Sequence, residues 1–131
     1  MTTLRFRAAS DSVPTSLIAR LRKMTSLSIS DIRQRAASGT PLLEITPFEN
    51  DWEDTRELLV ELAQEIATGE LPLTVCEVFD EQESPVDNEM LTNLIGQFRE
   101  IELETQRNTM LESGEISDPD DFEPQDEDWT Q

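Results

Sequence analysis

Carboxylates are the side chains in this chain that could do the most chemistry. Glu77, Asp80, Glu81 and Glu83 fall close together, and Asp118, Asp120, Asp121, Glu123 and Asp126 form a second run. Two carboxylates act as an acid–base pair only where their surroundings hold their pKa values apart, and these runs lie in polar stretches that offer no apolar pocket. Asp118-Pro-Asp-Asp-Phe-Glu123 begins like a calcium loop, but Phe122 and Glu123 stand where the third ligand and the turn-forming glycine belong. The chain has no His and no Tyr, so the usual general base and the commonest metal ligand are missing. The single cysteine, Cys76, lies in an apolar run beside Glu77, a setting that raises a thiol pKa and suits a structural role. These residues point to no enzyme, no cofactor and no metal site.

What remains for such acids is binding. Residues 1–40 carry seven Arg and Lys against Asp11 and Asp31, whereas residues 41–131 carry three Arg against 27 acids, giving the chain a net charge of −19. A charge of that size opposes compaction and attracts basic partners, or imitates a phosphate backbone towards a protein that handles nucleic acid. It disfavours direct contact with nucleic acid or with an anionic membrane. Within the C-terminal acids stand Phe122 and Trp129. Large aromatics in such a tail serve as interface anchors, either on a partner or folded back on the Arg-rich first helix and strand.

The elements that must position these groups follow from periodicity. Leu4, Phe6 and Ala8 alternate with Arg5 and Arg7, which predicts a half-buried strand. Leu17, Ile18, Leu21 and Met24 form the apolar stripe of a first helix. Ser28 and Asp31 form a capping box for a second, which Gly39 ends. A strand near 42–46 follows, then a helix opened by Asn50-x-x-Glu53, with Trp52, Thr55, Leu58, Leu59, Leu62 and Ile66 along one face and Gly69 at its end. Leu73–Phe79 reads as the third strand. The expected fold is α+β: a two-layer strand–helix–helix–strand–helix–strand core over 1–80. Residues 81–112 then supply an acidic linker and an amphipathic helix carrying Leu91, Leu94, Ile95, Phe98 and Ile101, and 113–131 a disordered acidic tail.

The run Leu17-Ile-Ala-Arg-Leu-Arg-Lys-Met-Thr-Ser-Leu-Ser-Ile-Ser-Asp-Ile-Arg33 resembles the C-terminal domain of the bacterial ribosomal stalk protein, and the element order is similar over about residues 3–79. Ser26 and Ser28 stand where that family has glycines. The resemblance implies a docking face for a translation factor or another protein, made here of Ile18, Arg22, Thr25, Leu27 and Arg33.

Physical character points elsewhere, to a cytoplasmic immunity-type protein that neutralises a cognate toxin, with a nuclease as the candidate class, by occlusion. Its contact residues would be Glu77, Asp80, Glu81, Glu83, Asp118, Asp120, Asp121, Phe122, Glu123, Asp126 and Trp129. Docking through the stalk-like face is the alternative.

Overall fold

The computed structural model describes residues 2–49 and 51–130. The elements are β1 (Thr3–Ala8), α1 (Thr15–Met24), α2 (Ile29–Ser38), β2 (Leu43–Ile45), α3 (Trp52–Thr68), β3 (Leu73–Phe79), β4 (Gln82–Val86) and α4 (Asn88–Ser113). The strands form one antiparallel sheet in the order β2-β1-β3-β4. This is an α+β domain, and a single apolar core runs from Leu4 to Trp129.

The alternation in β1 does what the sequence implies. Leu4 and Phe6 are fully buried, while Arg5 and Arg7 lie on the sheet's outer face. Cross-strand neighbours share a face, so Ile45 beside Leu4 and Val75 beside Phe6 join the core. The Ser28–Asp31 capping box forms in both directions, and Gly39 and Gly69 end α2 and α3 in the left-handed region. Asn50, read as the cap of the third helix, lies outside the described residues. Asp51 is the N-cap of α3 and makes no side-chain capping bond.

Three details depart from the sequence reading. First, the expected acidic linker contains a strand. Asp80 and Glu81 have φ of 51° and 65°, the doubly left-handed geometry of a two-residue hairpin turn, and this sends Gln82–Val86 back along β3. Ladder bonds come from the backbone, so a polar edge strand pairs without an apolar pattern of its own. Second, α4 starts at Asn88 with Asp87 as its cap, and its buried face after Phe98 continues through Arg99 and Glu102, leaving Ile101 46% exposed. Third, the tail expected to be disordered is laid down. Gly114 ends α4, a short 3-10 turn spans Pro119–Asp121, and Trp129 enters the core. Its anchor is a set of charged groups on α3 and α4 that apolar periodicity does not reveal.

Candidate functional site

The hairpin acids divide by direction. Glu83 points to the outer sheet face, where it accepts hydrogen bonds from Arg5 Nη1 at 3.1 Å and Arg7 Nη2 at 3.0 Å. Bonding to Arg7 holds its pKa down at about 2. Arg5 also donates to Glu44 on β2 at 3.0 Å, so Glu83 and Glu44 hold the sheet's own arginines. Cys76 lies beside them, and burial followed by the Glu83 carboxylate pushes its thiol pKa up, away from a reactive thiolate. Asp80 and Glu81 are exposed at the turn, with no ion pair among the described residues. Glu77 is half-buried on the opposite, helix-covered face, cross-strand from Leu4.

The tail residues divide the same way. Asp118, Asp120, Asp121 and Glu123 are exposed on and around the 3-10 turn, where Asp118 accepts from the Asp120 backbone N–H at 3.0 Å. Phe122 is half-buried. Asp126 and Trp129, however, turn inward. The Trp129 indole N–H donates to Glu102 Oε1 at 2.6 Å, and the Trp52 indole donates to Glu102 Oε2 at 2.8 Å. Arg56 bridges Glu102 at 2.7 Å and Asp126 at 2.9 Å, and Arg99 bridges Asp126 at 2.9 Å and Glu102 at 3.3 Å. Two cations and two anions thus neutralise one another. The Trp52 and Trp129 rings meet edge-on at 5.8 Å, and the Arg56 guanidinium lies 5.5 Å from the Trp129 ring centre. Burial opposes ionisation of Asp126, but bonds from Arg99, Gln106 and Arg56 outweigh it and bring its pKa to about 2.

This cluster takes Asp126 and Trp129 for intramolecular anchoring. The tail folds back on α3 and α4 rather than on the basic first helix. Sequence reasoning missed Arg56, Arg99 and Glu102. A signal existed: Arg99 and Glu102 lie four positions after Ile95 and Phe98, so a cation and an anion sit in register with the apolar stripe of α4.

The stalk-like face is only partly presented. Ile18 belongs to the core at 6% exposure. Thr25 is half-buried; its hydroxyl donates to the Leu21 carbonyl at 2.8 Å and accepts from the Leu27 N–H at 3.3 Å, shaping the turn between α1 and α2. Leu27 is half-buried, while Arg22 and Arg33 are exposed. Met24, Leu27, Arg35 and Leu43 line a shallow groove nearby.

Among the described residues, no group of three or more His, Cys, Asp or Glu is arranged to hold a metal ion, and no helix is long and apolar enough to cross a membrane. Comparison with known proteins finds no matching protein-family profile, curated protein or solved structure.

Proposed function

We propose that this chain is an acidic, non-catalytic binding protein that occludes the basic surface of a protein partner, as an immunity protein does to a toxin that handles nucleic acid. One observation carries the reading: among the described residues only six of the 29 acids (Glu44, Glu61, Glu65, Glu83, Glu102 and Asp126) are engaged in ion pairs. The remaining acids are not neutralised by the chain's own cations, so their field is directed outward. The hairpin supports it. Asp80 and Glu81 occupy left-handed positions that Asn-Gly fills with less strain, and strain kept at an exposed, charged turn is a pointer to function.

Occlusion would work through long-range steering followed by desolvation of the partner's phosphate-binding cations. The test is the association rate with the partner captured from the native host, measured across a salt series. Changing Asp118, Asp120, Asp121 and Glu123 together to amides is expected to slow association and flatten its salt dependence, with dissociation little changed. A partner bound at a rate independent of salt would overturn the reading.

A second reading, docking through the α1–α2 face, is favoured by one observation: Arg22 and Arg33 are exposed and have no ion pair among the described residues. Arg22→Glu with Arg33→Glu should abolish that activity and leave the acidic one intact.

A further inference from the structure

Among the acids of the hairpin, Glu77 is the one set on the helix-covered face of the sheet. It follows Leu73 and Val75 on the helix-covered side of β3, cross-strand from a fully buried Leu4, a position where the pattern calls for an apolar residue. A carboxylate drawn part-way out of water there needs a partner. Among the described residues it receives neither an ion pair nor a side-chain hydrogen bond, unlike Glu83, which lies opposite Val78 on the other face of the same hairpin.

Glu77 forms part of the wall of a groove between the β3–β4 hairpin and α4, about 230 Å³ in volume, shared with Ser84, Val86, Met90, Leu94 and Gln97. That is below the roughly 300–1,000 Å³ of small-molecule pockets and suits a side chain. Met90, Leu94, Gln97 and Ile101 succeed one another at helical spacing, and Met90 and Ile101 are 47% and 46% exposed. Phe79, next on the Glu77 side of β3, is 58% exposed. The two elements that form the groove, β3 and α4, therefore both carry exposed apolar side chains.

We infer that this groove docks a basic segment of a protein partner, receiving one Lys or Arg on Glu77 and a neighbouring apolar side chain against Met90 and Leu94. The inference rests on the acidic-binding reading and gives it a location. Charge selects the occupant: an anionic segment is repelled, and a purely apolar one leaves Glu77 covered and unpaired. Strand addition to the outer edge of β4 is disfavoured, because Pro85 lies in that edge strand and has no N–H to donate.

The probe is a fluorescein-labelled peptide of alternating Lys and Leu, titrated into the full-length chain at two salt concentrations, with Glu77→Gln, Met90→Ser and Glu53→Gln variants. Glu53, exposed on α3, controls for the loss of one charge. Expected are weaker binding by about tenfold in Glu77→Gln, several-fold weaker binding in Met90→Ser, less than about twofold in Glu53→Gln, and first amide shifts at residues 77, 86, 90, 94 and 97. Equal losses in Glu77→Gln and Glu53→Gln would overturn the groove and leave the acidic reading standing. Binding without salt dependence would overturn both. The same amides shifting with protein concentration alone would assign the groove to a second copy and overturn the proposed partner.

Discussion

Glu102 is the residue on which the C-terminal segment turns. It accepts two indole N–H bonds and faces two guanidinium groups while only 9% exposed. Replacing such a pair by an apolar group of equal shape is often tolerated, whereas removing one partner strands the rest. Glu102→Ala is therefore expected to destabilise by about 3 kcal/mol in chemical denaturation, since Arg56 and Arg99 would face Asp126 alone. Trp129→Ala should cost about 3 kcal/mol as well and open the chain after Gly114 to limited proteolysis. Arg56 Nε, buried without a hydrogen-bond partner among the described residues, marks the weakest point of the arrangement. Asp126 supplies a pH test. Its folded pKa, about 2, lies below the ordinary 3.8, so its contribution is present above the unfolded value and fades as pH falls from about 4 towards 2. Tryptophan fluorescence should follow this opening, and Asp126→Asn should remove the acid-dependent step.

At the scale of elements, two substitutions separate stability from binding. Gly96 lies in the body of α4 with open space where a Cβ would sit, so Gly96→Ala should raise stability by about 0.8 kcal/mol, read as a higher denaturation midpoint. Asp80→Asn with Glu81→Gly should relieve the left-handed turn and stabilise by about 1 kcal/mol while weakening binding of a basic partner. That combination would mark the two acids as retained for their charge. Elements whose own residues carry the instruction were legible from sequence: β1 by alternation, α2 by its cap, α3 by its stripe and the glycine that ends it. Strand β4 was not, because its partner β3 and the φ of two non-glycine residues define it. The C-terminal segment was not either, because one tryptophan and one aspartate suffice to hold it where α3 and α4 offer complementary charge. Of the expected contact residues, Asp80, Glu81 and the acids around the 3-10 turn face outward, whereas Asp126, Trp129 and Glu83 are engaged within the chain.

For the whole molecule the governing quantity is the net charge of −19. Most of the ion pairs are surface contacts of small value, whereas repulsion among the unpaired acids is general. Salt to about 0.5 M shortens the screening length to a few ångströms, so the thermal midpoint should rise with added sodium chloride; a midpoint that fell would show the buried ion pairs outweighing repulsion. The sheet order has a different consequence, for the order of assembly. Strand β1 is central, flanked by β2 and β3, yet Leu73, the first residue of β3, lies 65 positions beyond the end of β1 at Ala8. At about 5–20 residues per second, synthesis leaves one edge of β1 open for several seconds or more. Alternating Leu4 and Phe6 would make that edge prone to pairing with other chains, and Arg5 and Arg7 interrupt the apolar run at each second position. Before they meet Glu44 and Glu83, these arginines serve as gatekeepers of the nascent strand.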